Sequence, residues 1–387
     1  MFGIHLGQAR EKIVAVADIG SGNVSVVILS LRPGGPATAL AASRAILPIQ
    51  ERTPEARIAG LGEQIVKAGE QAQKIYSTRS GGDVNPVTEL YAIIRTPWSR
   101  SKTAHATTVL AKQTRVTDAT IRSLAQQALA SEKELDAKNF MEAGVIRIEL
   151  NGYPTSEPDG KYATEVSVFA LVSDCEPLMR AQATASLQKV FPHLVPVLRS
   201  GMRELVSVLR HMPYAERDYV ILDIACEGAT IAAIYDGVAM EHQTLAEGTR
   251  AILQRVSDSG TPEETLSLMR MLAREDCSSP ECEKIRDAMA RVEPDLVRVF
   301  GGAMGTLATA RRLPSTLVLS AEPDMAPWLS AFFARIDFTQ FTLTTQPFTV
   351  KRLLPADFSG WVKPESGVTL DTGQALSVAF VQLEQST

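Results

Sequence analysis

Two segments, one in each half of the chain, run as an apolar strand that ends on an aspartate and turns back through small polar residues. The first is IVAVADIGSGNVSVVIL (13–29) and the second is DYVILDIACEGATIAAIY (218–235). In the first, Val14, Val16, Val26 and Ile28 supply β-branched strand residues, and Asp18, Gly20, Ser21, Gly22 and Asn23 fill the turn. A carboxylate at a strand end before a Gly-rich hairpin is a phosphate device. Glycines let backbone N–H groups approach an anion, and the carboxylate holds a metal through water. The plainer reading is an ordinary hairpin in which Gly and Asn supply positive φ. The repeat decides how far to take the first reading: Asp223 ends the matching strand, with Glu227 and Gly228 in its turn. Two such halves could bracket one metal–phosphate group from opposite sides.

A chain of 387 residues exceeds what one compact core usually holds, so more than one subdomain is expected. A net charge of −5 gives no general attraction to nucleic acid or anionic lipid. Four cysteines (Cys175, Cys226, Cys277, Cys282) are too few for a disulfide framework, and Cys277 and Cys282 read as two reduced thiols near a helix boundary. The histidines, His5, His105, His193, His211 and His242, are scattered, so no metal cluster is expected. The first dozen residues lack a secretory signal, and no apolar run reaches the ~18–20 residues that span a bilayer. The expected compartment is a reducing cytoplasm.

Along the chain, RPGGPATA (32–39) reads as a turn-rich connection. Residues 55–75 place Ile58, Leu61, Ile65, Val66 and Ala72 on one helical face, and SGGDVNP (80–86) breaks the pattern. Residues 88–183 read as a small α+β unit: strands, a helix capped at Thr117 or Asp118, then strands again. Arg95, Arg100, Lys102, Lys112 and Arg115 surround Trp98 without an acidic residue, which suits either an acidic partner or a solvated strand face. Segments 176–191 and 196–212 read as helices, and Asp236-Gly237 as a hairpin turn. Residues 247–312 read as mainly helical, with Thr261 as an N-cap before Pro262 and a bend at Pro294 or Gly301-Gly302. STLVLSAEPD (315–324) is a third buried strand, FTLTTQPFTVKRLL a run of short strands, and the chain closes on a helix.

This order of parts resembles the actin-like ATPase superfamily, and within it the cell-division protein FtsA and the pilus-assembly protein PilM. DIGSGNVSVVIL (18–29) is similar to the first phosphate motif, VILDIACEGATIAAIY (220–235) to the second, and TLVLSAEPDMAPWL occupies the place of the adenosine motif. The resemblance implies an α/β, ribonuclease H-like two-lobed fold with a small α+β insertion. It divides the chain into 1–86 as the first part of lobe I, 87–183 as a partner-binding insertion, 184–217 completing lobe I, and 218–387 as lobe II. It assigns Asp18 and Asp223 to Mg²⁺ through water, and Gly20, Ser21, Gly22, Asn23 and Gly228 to the phosphates of ATP. No catalytic residue is identified. Ala225, Cys226 and Glu227 stand where the second motif is Gly-rich, and Ala321 to Asp324 replace the paired glycines of the adenosine motif.

The function implied is a cytoplasmic scaffold in cell division or type IV pilus assembly, with weak or no ATPase. Its partners would be a tubulin-like division protein or pilus components at the inner membrane, with self-assembly open and no nucleic acid or direct membrane anchor. The alternatives are a phosphotransferase (kinase) of the same fold and a nucleotide-free pseudo-ATPase.

Overall fold

The computed structural model describes residues 11–49, 52–79, 85–212, 217–257, 260–274 and 280–386. His5, Cys277 and positions 80–84 of the break at 80–86 lie outside them. The chain divides into two compact units. The first comprises Met1–Arg95, Pro177–Tyr214 and Leu353–Thr387, and the second Thr96–Glu176 and Ala215–Arg352.

The first unit begins with β1 (Lys12–Ile19), β2 (Asn23–Leu31) and β3 (Ala37–Ile46), continues through α1 (Pro54–Arg79), and returns as β4 (Glu89–Ile94). The second unit then takes 96–176: β5 (Ser99–Arg115), α2 (Asp118–Ser131), β6 (Phe140–Leu150), β7 (Tyr153–Pro154) and β8 (Tyr162–Cys175). The chain comes back to the first unit as α3 (Pro177–Val190), β9 (Val197–Ser200) and α4 (Gly201–Leu209). A further stretch builds most of the second unit: β10 (Tyr219–Ile224), β11 (Ala229–Tyr235), β12 (Val238–Leu245), α5 (Thr249–Ser257), α6 (Pro262–Ala273), α7 (Pro280–Leu307), β13 (Thr316–Ala321), α8 (Ala326–Arg335) and β14 (Thr349–Arg352). β15 (Val362–Pro364) and α9 (Thr372–Ser386) close the first unit.

The first unit's sheet has the order β15–β3–β2–β1–β4–β9. β1 and β2 are buried almost from end to end, which is why their sequences are continuous apolar runs rather than alternations. α1 packs on β2 and β3, and α9 on β1, β2 and β3. Two expectations are corrected here. Glu89–Ile94, read as the start of the insertion, is a central strand parallel to β1, so the inserted unit begins after Arg95. Residues 353–387, assigned to lobe II, belong to the first unit: Val362–Pro364 pairs in parallel with Ala37–Ala39, and α9 buries Ala375, Leu376, Val378, Ala379, Phe380 and Val381. The segment 32–39, expected as a turn-rich connection, runs into β3 at Ala37; ATALAASRAI is alanine-rich, a composition that does not favour strands, and its pairing with β2 imposes the conformation. The segment 196–212, expected as one helix, opens instead with β9, whose four residues run straight into α4.

The inserted stretch is the expected small α+β unit, a sheet of order β5–β8–β6–β7. One face packs on α2 through Val116, Leu124, Leu150, Val166 and Val168. Thr117 is the N-cap of α2, accepting from the Thr120 amide. On the insertion's surface Val109 and Val145 are exposed, as are Tyr153 and Tyr162. The basic stretch is divided, with Lys112 and Arg115 exposed and the other three side chains buried or paired. Arg95 is buried, Arg100 pairs with Asp174 and Lys102 with Glu134. The insertion is fixed within its own unit to the β11–β12 hairpin, where Arg147 donates to the Asp236 carbonyl at 3.0 Å. That hairpin turns at Asp236 (φ 50°) and Gly237 (φ 74°), the positive-φ pair expected of a tight two-residue turn.

The second unit's main sheet has the order β12–β11–β10–β13–β14. Thr261 is the N-cap of α6 as expected, and with Glu264 it forms a capping box. α7 runs as one helix through Pro294, and only β14 appears among the late strands predicted between Phe341 and Leu354. Cys282 is disulfide-bonded, which overturns its reading as a reduced thiol. No helix among the described residues is long and apolar enough to cross a membrane.

Candidate phosphate-side sites

In the first unit, three neighbouring parallel strands β1, β4 and β9 bring one residue each, or the residue just after, to the same edge. Asp18 is paired in register with Ile93, and the Arg95 amide donates to the Ile19 carbonyl at 3.1 Å, so Arg95 leaves β4 directly beside Asp18. Ile94 pairs with Ser200, which caps α4 by accepting from the Arg203 amide and sets Glu204 in the first helical turn. The result is a buried ion-pair chain. Arg95 Nε donates to Asp18 Oδ1 at 2.6 Å, and Arg95 Nη2 to Glu204 Oε2 at 2.6 Å. Ser377 of α9 completes it, its hydroxyl donating to Glu204 Oε1 at 2.6 Å. The side chains of Asp18 and Arg95 are 9% and 10% exposed, and that of Glu204 is fully buried. Space is tight around the chain: a Cβ on Gly373 would stand 3.1 Å from Asp18 Oδ2, and one on Gly201 3.1 Å from Arg95 Cγ.

The hairpin turn beside Asp18 is closed by its own backbone. The Gly20 amide donates to the Asn23 carbonyl at 3.0 Å, and the Gly22 carbonyl accepts from Leu47 at 2.9 Å. Ser21 is buried. Of the residues read as phosphate ligands, Gly20 therefore has its amide engaged within the turn.

In the second unit, Asp223 is level with Ser320 of the parallel strand β13, and the Ser320 hydroxyl donates to Asp223 Oδ1 at 2.6 Å. The turn after Asp223 is closed from Ala225 N–H to the Gly228 carbonyl at 2.9 Å. The start of α5 then seals it. Thr249 N–H donates to the Ala225 carbonyl and Arg250 N–H to the Cys226 carbonyl, both at 2.9 Å. Only glycine fits at 248, where a Cβ would lie 2.4 Å from the Cys226 carbonyl oxygen and the Gly228 nitrogen. Glu227, the residue expected to repel a phosphate, is turned onto Arg250, with Nε at 2.9 and 3.0 Å from its two oxygens. Where the adenosine motif would carry glycines, Glu322 accepts backbone bonds from Met325 and Ala326, and Asp324 pairs with Arg270.

The Asp18 environment does not fit the Mg²⁺ that the resemblance implies. A hydrated metal ion on Asp18 needs a carboxylate free of a competing cation, and this one holds a guanidinium. Among the described residues no group of three or more His, Cys, Asp or Glu could hold a metal. Sequence reasoning missed Arg95 and Glu204. Arg95 was counted with the basic stretch, and Glu204 lies 109 residues from it. The available signal was an arginine directly after the apolar run Tyr91–Ile94, where a side chain enters the core edge.

No protein-family model matches the chain, and no curated protein matches it in sequence. Among solved structures, a chain of the PilM–PilN type IV pilus biogenesis complex superposes with a TM-score of 0.59 at 14% identity, covering 96% of this chain and 98% of that one. The ethanolamine utilization protein EutJ from Carboxydothermus hydrogenoformans gives 0.45 at 11% identity, covering 97% and 91%. Gluconate kinase from Lactobacillus acidophilus gives 0.42 at 11% identity, covering 97% and 89%. Only the first is near enough to carry an argument about fold.

Proposed function

We propose that this chain, which has the actin-like ATPase fold, is a non-hydrolysing scaffold that works by holding a protein partner in assembly of the type IV pilus kind. The observation that carries the reading is the ion-pair chain Asp18–Arg95–Glu204, which leaves the first unit's key carboxylate neutralised by the protein itself. A phosphotransferase needs that carboxylate for metal, so the kinase reading loses its chemistry. The pilus setting is taken from the fold similarity to a chain of the PilM–PilN complex, which extends over 96% of this chain. The insertion is the docking element in this reading: a small sheet braced by α2, with exposed Val109 and Val145. The scaffold acts in the cytoplasm and reaches the inner membrane through its partner.

The test is a titration of the purified chain with the PilN-type protein of the same source, with and without ATP and Mg²⁺. Saturable binding that is independent of nucleotide, and weakened by Val109→Asp or Val145→Asp, is the expected result. ATP turnover above buffer, or partner binding that requires Mg·ATP, would contradict the reading.

A further inference from the structure

We infer that Arg95 is a resident cation that has taken over the seat of the divalent metal, so that wild-type protein binds no metal at Asp18 and removal of the guanidinium creates a metal site there. The inference deepens the non-hydrolysing reading above and rests on it.

The argument is one of charge and geometry. Asp18 and Glu204 bind different nitrogens of one guanidinium, each at 2.6 Å, so their oxygens converge on a single buried cation. Arginine stays charged at all working pH values, so this cation is permanent and needs no uptake from solution. Two carboxylates with almost no solvent around them require such a charge, because an uncompensated buried carboxylate is strongly disfavoured. The surrounding structure maintains the arrangement. Ser377 holds the second oxygen of Glu204, Gly201 lets the Arg95 stem pass, and Gly373 brings α9 against Asp18.

Take away the guanidinium and the same pocket presents Asp18 Oδ1, Glu204 Oε2 and the vacated side-chain volume for water. That is an oxygen-only donor set of the kind hard divalent cations prefer. Lysine at 95 would keep a positive charge between the carboxylates and preserve the metal-free state, although it lacks the planar fork.

The experiment titrates the full chain with Mn²⁺ alone, following free Mn²⁺ by electron paramagnetic resonance and thermal midpoint by calorimetry. Wild type is expected to show no Mn²⁺ uptake that Asp18→Asn removes. Arg95→Met is expected to bind one Mn²⁺ at least tenfold more tightly than wild type and to gain thermal stability from it. Both effects should vanish in Arg95→Met/Asp18→Asn, and Arg95→Lys should behave as wild type. Wild-type uptake abolished by Asp18→Asn overturns the inference, as does a folded Arg95→Met that takes up no Mn²⁺. If Arg95→Met does not fold, the wild-type and Asp18→Asn comparison decides alone. Neither partner nor nucleotide is present in this titration. Loss of partner binding would thus refute the docking part of the scaffold reading without touching this one, whereas Mn²⁺ uptake at Asp18 in wild type would refute this one and remove the observation that carries the non-hydrolysing reading, leaving partner docking standing.

Discussion

Replacing Arg95 with methionine keeps an unbranched apolar stem but removes the guanidinium and its charge. Two carboxylates, one 9% exposed and one fully buried, then lose a partner at 2.6 Å. Breaking a buried pair by deleting one partner costs about 3–5 kcal/mol, mostly as the penalty on the charge left behind. With a urea m value of about 1–3 kcal/mol/M, the midpoint of the first unit should fall by at least about 1 M. Trp361 reports that unit, because the other two tryptophans, Trp98 and Trp328, belong to the second. The assay is urea unfolding followed by Trp361 fluorescence in a Trp98→Phe/Trp328→Phe background. The decisive variant is the neutral triple, Asp18→Asn/Arg95→Met/Glu204→Gln, in which no buried charge is orphaned. It should recover to within about 1–2 kcal/mol of the parent, since replacing a whole buried ionic group is often close to neutral. The reasoning is refuted if Arg95→Met costs under about 1 kcal/mol, or if the triple variant is no more stable than the single one.

Two further perturbations test the second unit. Burial, assisted by the nearby positive charge of Lys102, pushes the His242 imidazole down to about 4. The unfolded chain therefore binds the proton first, and the unit should lose up to about 3 kcal/mol as pH falls from about 6.5 to about 4. His242→Gln should flatten that slope in a pH series of denaturation midpoints; an unchanged slope would show that another group is responsible. Gly248→Ala should prevent the second unit from folding, because its Cβ meets backbone atoms at 2.4 Å. Gly302→Ala in α7 meets nothing within 4 Å and should stabilise by about 0.5–1 kcal/mol through helix propensity. Circular dichroism melts of the pair check both signs.

What could be read from the sequence was what depends on local chemistry. β1, β2, β10 and β11 announce themselves as β-branched runs bounded by small polar residues, and Thr261 before Pro262 announces a helix start. What could not be read depends on pairing between distant segments. The alanine-rich β3 becomes a strand only beside β2, and β15 is three residues long and returns to β3 from the far end of the chain. The same limit hid the central feature of the site. Asp18 and Arg95 are 77 residues apart and meet only because β1 and β4 run parallel in one register. Glu227 was legible as an oddity in its motif, but its escape from the turn onto Arg250 was not.

In the reading proposed above, internal ion pairs stand in this actin-like fold where metal-dependent nucleotide chemistry would. Calorimetric titration of ATP into the full chain, with and without Mg²⁺, tests it most directly. The account predicts no saturable Mg²⁺-dependent heat in wild type. Saturable binding that requires Mg²⁺ and is abolished by Asp18→Ala would contradict it.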